Sequence, residues 1–239
     1  MTNATWSDFW LNDGFTTYIE NRIQEAVYGR EQALMEQVLS RRELDQELKD
    51  FAPRDQILHI DLKGRDPDDG STQVPYIKGA LFLRQMEEVF GRPAFDAYLK
   101  DYFHHFAFQS IPTATALEYL RQQLLNQHAD LAAKIPVQEW VYQPGLPASA
   151  PRAVSQRLEA VHTIATQWAS GALPAAKIDT KHWSTQEWLE FLQVIPAPVT
   201  AAQLADLDRQ FHLTNTGNDE ILDQWLQMAV QANYQPAYP

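Results

Sequence analysis

No cysteine occurs among the 239 residues. That excludes disulfides, thiolate nucleophiles and Cys-based zinc or iron–sulfur sites together, and it leaves histidine and carboxylate as the strong metal ligands. Basic residues are also few: 19 Lys and Arg stand against 31 Asp and Glu, a net charge of −12. The mean field of such a molecule repels phosphate backbones and anionic bilayers, so neither nucleic acid nor a membrane surface is expected as a partner. No apolar run approaches the ~20 residues of a spanning helix, and Met1 to Trp10 lacks the basic and apolar regions of a signal peptide, so the chain reads as unexported and cytoplasmic. What remains is 45% apolar and 11% aromatic, enough to fold as one large domain or two modest ones.

Periodicity predicts a mainly α chain. Leu34, Val38, Leu44, Leu48 and Phe51 keep helical spacing between Gly29, a helix stop, and Pro53, a breaker, so a helix is expected over most of 30–51. The stretch Trp6–Tyr28 reads as helix in its second half, with Phe15, Ile19, Ile23 and Ala26 on one side. Leu58, Ile60 and Leu62 alternate with polar residues and predict the one credible strand, followed by an acidic loop over 65–74. Pro75 then stands where a first helical turn tolerates it, ahead of a helix so apolar (Ile77, Leu81, Leu83, Met86, Phe90) that it must be buried on several sides. Further helices are expected over 94–106 and 113–127. The segment 144–151 holds three prolines and reads as a linker. Beyond it, Val154, Leu158, Val161, Ala165 and Trp168 form one helical stripe, and the capping-box pairs Ser184/Glu187 and Thr200/Gln203 open two more helices. Ile221, Trp225 and Met228 mark another. Short helices in series suggest a layered array, although no repeat of fixed period is present.

Seven histidines, at 59, 104, 105, 128, 162, 182 and 212, are the neutral metal ligands available, and none has a partner at a useful interval. His104 and His105 are adjacent on a predicted helix and point about 100° apart, a poor geometry for chelation. His-Glu-x-x-His does not occur. The acidic loop Asp66-Pro67-Asp68-Asp69-Gly70 departs from the calcium-loop spacing, with Ile77 where a bidentate Glu is required; it reads as a solvated turn or as a carboxylate that recognises a substrate ammonium. Asn3-Ala4-Thr5 matches a glycosylation acceptor by accident only.

One segment is far more specific. Thr5-Trp6-Ser7-Asp8-Phe9-Trp10-Leu11-Asn12-Asp13-Gly14 closely resembles the zinc-ligand helix of family M1 aminopeptidases, especially the leukotriene A4 hydrolase branch, where the pattern is Trp-Leu-Asn-Glu-Gly. The resemblance continues through Pro75-Tyr76-Ile77-Lys78-Gly79, through Phe106, Phe108 and Ser110, and through Tyr142-Gln143-Pro144-Gly145-Leu146-Pro147. It implies the helical lobe of a thermolysin-like catalytic domain over 1–143, a linker over 144–151, and over 152–239 part of a C-terminal α-helical array of ARM/HEAT type. It also implies zinc as cofactor and peptides as substrates. Asp13 then occupies the third zinc-ligand position and Tyr76 is the hydroxyl donor to the oxyanion. Glu20, seven residues beyond Asp13, supports it from behind, and Asp68 lines the substrate pocket.

Two departures limit what the resemblance implies. Only twelve residues precede Asp13, so the family's histidine pair and general-base Glu, which lie further upstream, are expected to be missing. Asp is one methylene shorter than Glu, a shortfall of roughly 1.5 Å against a tolerance of ~0.2 Å in a zinc bond. The expectation is therefore a fragment that neither binds zinc nor hydrolyses peptides alone, and that self-associates or associates with the missing upstream half. A non-catalytic helical scaffold, or a split enzyme whose histidines come from another polypeptide, are the alternatives.

Overall fold

The structure, a computed structural model, describes residues 1–238. It is mainly α and divides into two compact units: Met1–Ala33 with Ser40–Ala153, and Leu34–Leu39 with Val154–Pro239.

The first unit holds α1 (Trp10–Tyr28) and all of α2 (Arg30–Asp50) but Leu34–Leu39; the two helices are separated by Gly29, whose φ of 89° no side chain adopts without strain. A five-residue π-helix, Val74–Lys78, leads into α3 (Gly79–Phe90), and α4 (Arg92–His105) follows. Then come α5 (Thr113–Leu120), the short α6 (Ala129–Ala132) and α7 (Val137–Tyr142). Trp10, Leu11, Phe15, Phe82, Leu83, Phe95, Tyr102 and Trp140 build a largely aromatic core around α3, consistent with the apolar circumference read from its sequence. The expected strand at 58–62 is not formed. Leu58 and Ile60 are buried and alternate with more exposed neighbours, but among the described residues no second extended segment pairs with them, and His59 N–H donates to the Val141 carbonyl instead. Alternation there reports a one-sided surface, not a ladder. Strand pairing occurs where no period announced it, between β1 (Thr2–Asn3) and β2 (Ser110–Ile111), in parallel.

The second unit contains α8 (Gln156–Ala169), α9 (Thr185–Val194), α10 (Ala201–Phe211) and α11 (Asp219–Gln231) around Trp168, Phe191, Leu204, Leu207 and Trp225. Both capping boxes are made. Half-buried Asp208 ties the unit's end together: it accepts from Thr214 N–H at 2.8 Å, Thr214 Oγ1 at 2.7 Å and Tyr234 Oη at 3.0 Å. Thr214 Oγ1 in turn accepts from Trp225 Nε1. Asp208→Ala strands these donors and should cost about 2–3 kcal/mol in a urea titration, with Asp208→Asn losing roughly half as much.

Candidate functional site

Asp13 and Tyr76 flank the place where α1 and α3 cross without side chains between them. Gly14 on α1 and Gly79 at the start of α3 touch backbone to backbone: a Cβ added at Gly79 would lie 2.8 Å from the Gly14 Cα. Residues adjacent to the crossing are therefore held close. Burial, and then the negative charge of Asp13, push the Tyr76 phenol above its usual range. The Tyr76 ring also packs edge-on against Phe9 at 5.8 Å.

The Asp13 carboxylate is distinctive. Its Oδ2 is buried and has no hydrogen-bond partner among the described residues, and burial raises its pKa. A desolvated acceptor without a donor is costly in a purely structural role, and such atoms concentrate where a ligand or a reaction uses them. Nearby Asp8 is the opposite case. It accepts from Thr113 N–H at 2.8 Å and from Thr5 Oγ1 at 2.7 Å, fastening the start of α1 to that of α5. Burial opposes its ionisation, but these bonds prevail and hold its carboxyl below the usual range. His59 Nδ1 stands 3.3 Å from Asp8 Oδ1 without hydrogen-bond geometry.

The other two sequence candidates stand apart in their contacts. Glu20 lies on α1 and is exposed, accepting only a long bond from Gln24. Asp68 is exposed in the single 3-10 turn Pro67–Gly70, where its N–H is capped by Asp66 and its carboxylate makes no hydrogen bond among the described residues. Neither adds to the charge felt by Asp13 or Tyr76.

Two residues with no role assigned from the sequence hold the Tyr76 segment: Lys78, inside the Pro75–Gly79 motif, and Glu47, outside every motif. Lys78 is fully buried; its Nζ donates to the carbonyls of Gln56 and Gln143, each at 2.8 Å, and faces no carboxylate. Glu47 on α2 accepts the N–H of Gln73. Glu47 lies among ordinary charged residues in sequence, and the role of Lys78 shows only in its burial.

As a zinc site these residues are incomplete. No group of three or more His, Cys, Asp or Glu among the described residues is arranged to hold a metal, whereas catalytic zinc needs three protein ligands and an open position. Asp13 is a single carboxylate with one oxygen unpartnered among the described residues. No described helix is long and apolar enough to cross a membrane.

The sequence profile of the peptidase family M1 domain matches residues 1–140, and that of the leukotriene A4 hydrolase C-terminal region matches 183–239. A leukotriene A-4 hydrolase homolog of Botryotinia fuckeliana is 29% identical over 100% of this chain and 38% of its own length. Leucine aminopeptidase 2 of Ajellomyces capsulatus is 30% identical over 97% of this chain and 39% of its own. Yeast leukotriene A4 hydrolase in complex with bestatin superposes with a TM-score of 0.89 over 98% of this chain and 42% of that one, at 24% identity, and so shares the fold. The chain thus spans about two fifths of the length of the relatives it matches. From its N-terminal motif through α7, this chain belongs to peptidase family M1, a zinc-dependent family.

Proposed function

We propose that the chain is the downstream portion of a leukotriene A4 hydrolase-like zinc aminopeptidase and does not hydrolyse peptides by itself. In this reading 1–143 is the C-terminal helical part of the catalytic domain, 144–151 the linker, and 152–239 part of the C-terminal helical domain. The observation that carries it is the Asp13 Oδ2, buried without a donor beside Tyr76. We assign Asp13 as the carboxylate that the chain offers to zinc, and Tyr76 as the hydroxyl that donates to the oxyanion formed when a peptide carbonyl is attacked. Glu20 would act on Asp13 from further along α1, and Asp68 would meet the substrate ammonium.

One carboxylate does not retain zinc at useful affinity, and no imidazole here joins it. The purified chain should therefore carry well under one zinc and leave chromogenic aminoacyl substrates uncleaved. Hydrolysis accompanied by one bound zinc would overturn the proposal. A preparation that becomes active only when mixed with a polypeptide bearing His-Glu-x-x-His would instead establish a split enzyme. The cysteine-free composition supports a cytoplasmic setting.

An independent scaffold is the competing reading, and the α1 surface argues against it. Ile23, Val27 and Tyr28 are 57%, 64% and 72% exposed, and Val27 lies fourteen residues beyond Asp13 on the same helical face. Exposed apolar side chains clustered at the end of α1 suit a surface that another polypeptide covers. Light scattering and dye binding should reveal self-association or exposed apolar area; a clean, dye-silent monomer would favour the scaffold.

A further inference from the structure

Tyr76 rides on a π-helix, Val74–Lys78, a geometry that is uncommon, appears mostly as a single turn and is frequent at functional sites. Such a turn persists only where its surroundings hold it. Its far end is held by the buried Lys78 and by the Gly14–Gly79 contact. The near end has few handles, because Pro75 carries no N–H. Two donors there reach side chains. Val74 N–H goes to Thr72 Oγ1 at 3.2 Å. Gln73 N–H, the donor that opens the turn, goes to both oxygens of Glu47, at 3.0 and 3.3 Å, across 26 residues of sequence.

Glu47 makes no ion pair among the described residues and accepts no other side-chain hydrogen bond there. Burial pushes its pKa up, and the neighbouring Glu43 adds to that push, against the Gln73 bond. A partly desolvated carboxylate without a cation, committed to one backbone N–H, is poorly explained by stability alone. We propose that Glu47 is a positioning residue for Tyr76: by holding the N–H that opens the π-turn, it sets where the phenol stands relative to Asp13. The functional meaning of that position rests on the role assigned to Tyr76 above, but the positioning itself can be read separately.

The test is 19F NMR on the full chain labelled with 3-fluorotyrosine, with the Tyr76 signal assigned through Tyr76→Phe. Glu47→Ala should move or split the Tyr76 signal by more than its linewidth, while the signals of core residues Tyr18, Tyr98 and Tyr102 stay in place. Glu47→Gln keeps a carbonyl of the same reach and should restore the wild-type position. Glu47→Asp keeps the charge but loses the reach, and should behave like Ala; the Asp–Gln contrast decides the matter if the Ala variant does not fold. A Tyr76 signal unmoved in Ala and Asp, a displacement shared by all four tyrosines, or a Gln variant that resembles Ala would each overturn the proposal. Should Tyr76 prove irrelevant to hydrolysis in a zinc-loaded, reassembled enzyme, the reading of Tyr76 fails while this NMR result stands.

Discussion

Gly79→Ala is expected to lose about 2–3 kcal/mol of stability, although alanine is the better helix former by ~1 kcal/mol. The added Cβ would sit 2.8 Å from the Gly14 Cα and within 3.7 Å of the Gly14 N and Trp10 O. Gly14→Ala meets the same obstacle from the other side, with the Gly79 Cα at 2.9 Å and the Pro75 carbonyl oxygen at 3.2 Å. All of these neighbours are backbone. No rotamer change makes room, so α1 and α3 must separate, and overpacking of this kind typically costs 1–3 kcal/mol or more. The same separation would move Asp13 from Tyr76, so the damage to the site should exceed the damage to the fold. Gly217→Ala is the control: its Cβ would meet nothing within 4 Å and its φ is not in the left-handed region, so a change within about 0.5 kcal/mol is expected. Urea titrations of the three variants check this; Gly79→Ala as mild as Gly217→Ala would show that the crossing yields easily.

Lys78 should make the first unit's stability rise with pH, in the same direction as acid denaturation but through the neutral and alkaline range. Burial pushes its ammonium down to about 7 from an unfolded value near 10.4. Across that interval the unfolded chain binds more protons than the folded one, so stability rises with pH. The contribution is complete above the unfolded pKa, shrinks as pH falls, and is lost once pH passes below about 7. The geometry agrees with a neutral amine: two N–H donors serve two carbonyls, those of Gln56 and Gln143, at 2.8 Å each. Subtracting the stability of Lys78→Met from wild type at each pH isolates this from other titrations. The difference should grow in favour of wild type by a few kcal/mol between pH 7 and 10. A flat difference would mean that the ammonium stays charged in the fold. Near pH 10, Lys78→Ala should be the worst of the three, losing about 3 kcal/mol or more, since it leaves both carbonyls unpaired and a cavity beside them.

These two predictions turn on features that are not local. The helical class was legible because its signals lie within a few residues: Gly29 and Pro53 punctuate α2, Ser184 with Glu187 and Thr200 with Gln203 cap α9 and α10, and the apolar circumference of α3 announced its burial. The pattern at 58–62 misled because alternation reveals which side is buried, but not whether a second strand is at hand to share hydrogen bonds. Asp13 and Tyr76 could be named from the motifs around them.

By itself, then, the amino-acid order determined where helices form, the absence of thiol chemistry and the two residues around which a site could form, since caps, breakers and side-chain period act along the backbone within a turn or two. The tertiary structure decided that Tyr76 feels the charge of Asp13, that the Asp13 Oδ2 has no hydrogen-bond partner among the described residues, and that Lys78 and Glu47 hold the two ends of the Tyr76 turn. Those facts depend on two glycines 65 residues apart meeting at a helix crossing. Which faces meet over such a separation is settled only when the whole core packs, because burial converts an ordinary lysine or glutamate into a group whose every hydrogen bond counts.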